Sequence, residues 1–331
     1  MSINYRAEIL RLKEKLDVTV VAHYYQRDEV FEMADITGDS LELARRCKVD
    51  KNPWVVFAGV AFMGQSVKVI APEKRVLMPK MACCAMARMI DSAYFDDSVN
   101  YIVERGIQKE DILPITYINS DASVKAKVGE MGGLVCTSSN AFKIIEKGLE
   151  SGKKILFVPD RCLGQNFANS MGLKSCVIGI DDCDPKEADV ICYNGFCSVH
   201  QLFTLDDIAF FRDKYSGIKI AVHPECDPAI VAASDFSGST SQLIKYVNDL
   251  DPEQKVAIGT EYNLVNRMRQ GNTYVLSSTK PECPTMNETT LEDLYLTLKS
   301  IEDNNPINEI IVEPHVVKYA NIALERMLAI K

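Results

Sequence analysis

Histidine, tryptophan and long apolar runs are scarce in this chain. Its 331 residues include four histidines (His23, His200, His223 and His315) and one tryptophan. The longest nearly unbroken apolar run, Trp54 to Met63, falls far short of the ~20 residues a membrane-spanning helix needs, so no membrane partner is expected. The opening stretch MSINYRAEILRLKEKLD carries charge throughout and lacks the apolar centre of a signal peptide. Basic residues number 37 against 46 acidic ones, and a net charge of −9 leaves no excess of Lys and Arg for phosphate contacts. Nucleic acid is therefore not an expected partner. No Gly/Ser-rich linker or low-complexity segment divides the chain, which predicts closely packed units. A composition of 47% hydrophobic and 25% charged residues suits a folded, soluble, cytoplasmic protein of two or three domains.

Several motifs are also missing. C-x-x-C does not occur, which excludes a thioredoxin-like pair and a zinc ribbon, and the C-x₃-C-x₂-C run of radical enzymes is absent. No G-x-G-x-x-G follows a strand, so there is no dinucleotide fingerprint. Gly59 to Ser66 comes within one residue of a phosphate-binding loop, but Gln65 stands where that loop needs its lysine. A similar Leu163-Gly164-Gln165 occurs later, so the pattern reads as structural.

Cysteine, by contrast, is abundant. Eleven residues at irregular spacing do not make an exported disulfide framework in a chain this long, and most are expected to be small core residues. A few are candidate metal ligands.

Short β-branched and aromatic runs alternate with amphipathic stretches. Strands are expected at 18–22, 54–58, 112–117, 154–158, 218–222, 255–258 and 273–276, and helices at 40–47, 141–149 and 241–250. This alternation predicts an α/β fold of parallel sheets with binding loops at the carboxyl ends of the strands. The pattern also repeats three times. VTVVAHYYQ, ILPITYINS and IKIAVHPEC open the three passes, and RVLMPKMACCAMA, ADVICYNGFCSVH and TYVLSSTKPECPTM close them. His23, Tyr117 and His223 then hold like positions, as do Ser40, Ser138 and Ser239, and Cys84, Cys197 and Cys283. Marker and cysteine are 61, 80 and 60 residues apart in the three passes. A doubly wound protein can give such echoes by chance. Read as a true repeat, they predict three homologous α/β units around a pseudo-threefold axis, with one central cavity. The expected units are 1–87, 88–201 and 202–309, with a C-terminal helix in 310–331 packing back on the first.

One cysteine per repeat gives chemical meaning to a spacing that has none by itself. Three thiolates converging on a point suit an iron–sulfur cluster or a Cys₃ zinc site. Ser and Thr at helix starts (Ser40, Ser138, Ser239, Thr240) are ordinarily N-caps. Three such helix starts facing one cavity would instead offer free N–H groups to small anions. Three of the four histidines lie beside polar clusters at strand ends, which favours function, while His315 reads as structural.

Together these segments resemble the quinolinate synthase family. The likeness runs from His23 to Met286 through HYYQ, GDS, M-A-x-C-x-M-A, Y-x-N-S, TSSNA, PDxxLG, G-x-C-x-V-H, HPEC, GSTS, IGTE and C-x-x-M. The resemblance implies three pseudo-symmetric α/β domains around a 4Fe–4S cluster held by Cys84, Cys197 and Cys283. It implies condensation of iminoaspartate with dihydroxyacetone phosphate to quinolinate, phosphate and water, with an aspartate oxidase or dehydrogenase supplying the imine. Two positions depart from the family pattern: Cys83 stands on a usual glycine, and Tyr193 on a common tryptophan. Cys84 is taken as the ligand because it lies two residues before Met86-Ala87.

Three thiolates for four irons would leave one iron open as a Lewis acid. Glu225 and Tyr25 are then the acid/base candidates, with His23, His200 and His223 positioning groups or shuttling protons. Tyr117 and Asn119 would hold the carbon skeleton, and Ser40, Ser138, Ser239 and Thr240 the carboxylates and phosphate. A Cys₃ zinc hydrolase and a non-catalytic metal- or redox-sensing protein are the alternative readings.

Overall fold

The computed structural model describes residues 3–180, 182–268 and 271–330. Its first unit runs α1 (Tyr5–Lys15), β1 (Val18–His23), α2 (Asp28–Phe31), β2 (Ile36–Gly38), α3 (Ser40–Val49), β3 (Trp54–Ala58), α4 (Ala61–Ile70) and β4 (Arg75–Leu77). The second runs α5 (Ser92–Glu104), β5 (Ile112–Tyr117), α6 (Ala122–Glu130), β6 (Leu134–Cys136), α7 (Ala141–Leu149), β7 (Lys154–Val158), α8 (Arg161–Ser170), β8 (Ser175–Val177) and β9 (Val190–Cys192). The third runs α9 (Leu205–Lys214), β10 (Lys219–Val222), α10 (Pro228–Ala233), β11 (Phe236–Ser237), α11 (Thr240–Asp249), β12 (Val256–Gly259), α12 (Tyr262–Arg267) and β13 (Thr273–Val275). Helices α13 (Leu291–Glu302) and α14 (Pro314–Ala329) complete the chain.

The three sheets are parallel and share one topology. Their strand orders are β2-β1-β3-β4, β6-β5-β7-β9-β8 and β11-β10-β12-β13. The expected α/β fold of three like units is therefore present. The second sheet carries one extra strand, β8, at its edge. The segment that forms it accounts for the longer spacing between Tyr117 and Cys197. A disulfide, Cys176–Cys183, ties this strand to the turn that follows it, so these two cysteines are not the reduced core thiols expected. Cys47, Cys136, Cys162, Cys192 and Cys226 are buried as expected.

Each sheet is covered on both faces, as parallel sheets require. In the first, Val18, Val20 and Val56 face α1 and α13, while Val21, Val55 and Phe57 face the large core shared with the second unit. Strand alternation in the third likewise sends Ile220 and Val222 to one side and Ala221 and Ile258 to the other.

Two helices pack where the sequence reading did not put them. Helix α13 falls in the stretch assigned to the third unit, yet Leu294, Leu298 and Ile301 bury against Ile9, Leu12 and Val20 of the first. Helix α14 lies chiefly against α6 and β6 of the second unit, with a smaller contact to α4 of the first. Small residues decide this: a Cβ at Gly129 would lie 2.0 Å from the Tyr319 carbonyl oxygen, so only glycine admits such a close approach. Ala320, Ala323, Leu324 and Met327 form the buried stripe, and His315 Nε2 meets Glu130 Oε1 at 2.8 Å on the outside.

Candidate functional site

Parallel strands end on one side of their sheet, and here the carboxyl ends of all three sheets face one cavity. Its wall includes His23, Tyr25, Ser40, Cys84, Tyr117, Asn119, Ser138, Cys197, His200, His223, Glu225, Thr240 and Cys283. Of the site residues read from the sequence, only Ser239 is absent from that lining. It is fully buried as the N-cap of α11, in a capping box with Gln242.

The same division of labour places neighbouring hydroxyls on the cavity wall. Asp39 caps α3, accepting from the Leu41 and Glu42 amides, which leaves Ser40 at the first helical position facing the cavity. Ser239 does so for Thr240. Capping residues thus hold the helix ends, and the residues after them present hydroxyls and unpaired amides to any anion in the cavity.

The units are latched to one another in a ring. On α4, Gln65 Nε2 donates to Asp121 Oδ2 at 2.7 Å, and its Oε1 accepts from the Ala122 amide. On α8, Asn166 Nδ2 donates to the Pro224 and Cys226 carbonyls, both at 2.8 Å. On α12, Asn263 Nδ2 donates to the Tyr25 carbonyl at 3.0 Å. In each case the helix after one unit's second long strand grips the loop after the next unit's first. Gln65 is thus a structural residue, as its departure from the phosphate-loop pattern suggested.

The three cysteines sit in like turns. The Sγ of Cys84 accepts from the Ala87 amide, that of Cys197 from the His200 amide and that of Cys283 from the Met286 amide, each three residues on. A short 3-10 turn follows every one, at Met86–Met89, His200–Leu202 and Met286–Glu288. Thr285 Oγ1 adds a contact of 3.4 Å to Cys283 Sγ. Such donors favour the thiolate, whereas burial pushes all three thiols up, Cys84 to about 12, with Cys283 raising Cys84 and both of them raising Cys197 further. Sulfurs with this environment suit a metal that takes the proton's place. Cys83 is different. Its side chain is exposed, does not line the cavity, and lies 4.0 Å from the Met81 carbonyl. Among the described residues, donor atoms of Cys197, His200 and Glu225 also lie within 4.8 Å of one another, a metal-capable group the sequence reading did not single out.

Histidines and acids surround these sulfurs. His23 Nδ1 accepts from the Tyr25 amide at 3.1 Å, and His223 Nδ1 from the Glu225 amide at 3.3 Å. Burial lowers these rings to about 4 and about 3, so both are neutral near pH 7. With Nδ1 accepting, each carries its proton on Nε2. Glu225 is buried, and burial alone would raise it. His223, His200 and the Tyr117 hydroxyl outweigh that and hold it below the usual carboxylate range. Tyr117 donates to its Oε1 at 2.6 Å, and His200 Nδ1 lies 2.9 Å from Oε2, approached away from the line of the ring N–H. His200 and His223 stack with centroids 4.6 Å apart.

Three further buried polar residues escaped the sequence reading. Thr260 touches both His200 and Tyr25. Glu261 caps α12 and accepts from the Cys283 amide, and burial raises it to about 8. Asp160 caps α8, and its Oδ2 is buried without a partner, so burial and the Glu225 charge raise it. The signal was present in PDxxLG and IGTE, where an acid follows a strand, but it reads as a helix cap and is one. Tyr193 donates to the Met89 carbonyl at 2.6 Å, a packing role.

Comparison with known proteins agrees with this layout. The model of the family described as NadA, quinolinate synthetase A protein, matches residues 7–329. The protein named quinolinate synthase in Helicobacter pylori strain HPAG1 is 53% identical over 328 residues, 98% of this chain and 97% of its own. Its namesake in Helicobacter pylori strain 26695 is 54% identical over the same shares. The Streptomyces coelicolor protein of that name is 38% identical over 340 residues, 96% of this chain and 86% of its own. Three like units, one cysteine turn from each and a shared cavity accompany that similarity, and the chain belongs to the quinolinate synthetase A protein family.

Proposed function

We propose that this chain makes quinolinate by condensing iminoaspartate with dihydroxyacetone phosphate, releasing phosphate and water. The observation that carries the reading is the meeting of three equivalent cysteine turns with a ring of His, Tyr and Glu side chains in one cavity. The donor set fits an iron–sulfur group: Cys84, Cys197 and Cys283 would hold a 4Fe–4S cluster. Bound there, it supplies Lewis-acid polarisation of a substrate hydroxyl or carboxylate at an iron without a cysteine ligand.

The protein's own groups would do the rest. Both substrates are anions, and the amino ends of α3 and α11, with Ser40, Ser138 and Thr240, offer them amide and hydroxyl donors. His23 and His223, neutral near pH 7, each add one Nε2–H donor. Asn119, at the place in the second unit that Tyr25 and Glu225 hold in the others, would position the carbon skeleton beside Tyr117. Every step of the condensation moves a proton, and Glu225, ionised, hydrogen-bonded to Tyr117 and beside the rings of His200 and His223, is suited to accept one. Tyr25 is the complementary acid. An aspartate oxidase or dehydrogenase would supply the imine. No described helix is long and apolar enough to cross a membrane.

The test is direct. Protein purified without oxygen is given dihydroxyacetone phosphate and freshly generated iminoaspartate, and quinolinate is measured. A brown, active preparation is expected. A colourless zinc protein that makes no quinolinate would overturn the reading.

A further inference from the structure

The three cysteine turns are built alike in their backbones. Each is entered through the first amide of α4, α8 or α12, which donates to the carbonyl two residues before the cysteine: Ala61 to Ala82 at 2.8 Å, Arg161 to Gly195 at 2.8 Å and Tyr262 to Pro281 at 2.9 Å. Each is closed by the amide four residues on, where Arg88, Gln201 and Asn287 donate to the carbonyls of Cys84, Cys197 and Cys283, all at 3.2 Å. With the backbones matched, any inequality among the three sulfurs falls to the side chains.

Two residues after the cysteine, the turns hold Met86, Val199 and Thr285, and all three line the cavity. Methionine and valine side chains have no hydrogen to give. Thr285 has one, and its Oγ1 lies 3.4 Å from Cys283 Sγ. A thiolate only accepts, so in a metal-bound turn the hydroxyl is the donor. A second group fixes the backbone of this turn independently. Glu261 Oε1 accepts from the Cys283 amide at 3.3 Å while its Oε2 accepts from the Leu264 amide at 3.2 Å, which ties the cysteine to α12. Removing the Thr285 hydroxyl therefore changes the surroundings of the sulfur without releasing the turn.

The geometry points to Thr285 as a positioning residue that sets Cys283 apart from the other two ligands: its hydroxyl donates to the Cys283 thiolate and raises the reduction potential of the cluster held there. This role presupposes the iron–sulfur reading above and deepens it. A donor draws charge off the sulfur, and the sulfurs carry more negative charge in the reduced cluster, so the hydrogen bond favours that state. The same bias resists oxidation by oxygen. The proposed condensation consumes no electrons, so the potential serves here as the reporter of the bond.

The experiment compares holoenzyme prepared without oxygen as wild type, Thr285→Val, Thr285→Ala and Thr285→Ser. Without substrate, the midpoint potential of the cluster is read by a redox titration followed by electron paramagnetic resonance, with iron content measured alongside. The net worth of a single hydrogen bond corresponds to a roughly three- to tenfold shift in the balance of oxidised and reduced cluster, or about 30–60 mV for one electron. Thr285→Val and Thr285→Ala are expected to keep their iron, to show potentials lower by that amount and to bleach faster in air. Thr285→Ser, which keeps the hydroxyl, is expected to stay near wild type. Alanine removes the hydroxyl without a replacing methyl, so a misfit of valine leaves the comparison intact. An unmoved potential in Thr285→Val and Thr285→Ala would overturn the proposal, even if KM rose, since Thr285 would then be a substrate contact. Equal loss of iron in all three variants would mark a structural role and overturn it as well. A wild type without iron would refute the functional reading and this role with it, whereas a brown cluster with an unmoved potential refutes this role alone.

Discussion

Replacing Glu225 by Gln removes a charge and little else, and the structure sets the size of both consequences. Glu225 does not cap the helix after it: Asp227 does, accepting from the Ala229 amide at 2.9 Å. Its oxygens instead meet Tyr117 at 2.6 Å and His200 at 2.9 Å. Glutamine keeps an acceptor for Tyr117 but sets an amide against His200. Trading a charge-assisted bond for a neutral one costs about 1–2 kcal/mol. The carboxylate's own desolvation penalty disappears in exchange, so the net change is small. In thermal melting of a chain this long, that is a shift of no more than about 4 °C. Loss of the proton acceptor should meanwhile lower turnover by ~10²–10⁴-fold, or about 3–5 kcal/mol in the barrier. Turnover, iron content and melting temperature are measured on one anaerobic preparation. Turnover within about threefold of wild type would refute the reasoning, as would a loss of rate matched by loss of fold.

Lys125 tests the packing between the first two units. It is fully buried, donates to the Ser120 carbonyl, lies 5.5 Å from the Phe62 ring centroid, and is lowered by burial to about 7. Its folded value thus lies below the unfolded 10.5, so the unfolded chain binds the extra proton between those values and stability rises with pH across that window. Lys125→Met should abolish this slope, so that between pH 7 and 9 the wild type gains about 2 kcal/mol relative to the variant in urea melts. Equal slopes would contradict it. At Gly129, alanine would drive its Cβ into the Tyr319 carbonyl, so Gly129→Ala should destabilise by about 1–3 kcal/mol through displacement of α14. An unchanged melting temperature would show that the helix yields freely.

Much of this was legible in the sequence, because the strongest signals came from the parts that matter most. The long central strands of each sheet are β-branched and bounded by turns, and β3, β5 and β7 fall at the expected residues. The short edge strands β2, β6 and β11, of two or three residues, carry no period to read. The placement of α13 and α14 depends on which surfaces remain uncovered after the sheets form, and local pattern does not encode that. In the site, repetition singled out Cys84, Cys197, Cys283, His23, Tyr117 and His223, because equivalent strands deliver equivalent positions. Ser239 was misread because cap and cavity hydroxyl lie side by side in sequence, and only the backbone direction separates Ser239 from Thr240. Thr260 was missed because its partners, Tyr25 and His200, belong to other units, and Asp160 and Glu261 because each caps the helix that follows it, which is how an acid after a strand reads.

The central claim is that three equivalent turns, one from each unit, hold a single iron–sulfur cluster through Cys84, Cys197 and Cys283. Visible absorption and iron content of anaerobically prepared single variants test it most directly. Cys84→Ala, Cys197→Ala and Cys283→Ala should each lose the brown colour and most of the iron, while Cys83→Ala, altering only the exposed neighbour, should keep both. Retention of the cluster in any of the first three, or bleaching of Cys83→Ala, would contradict the account.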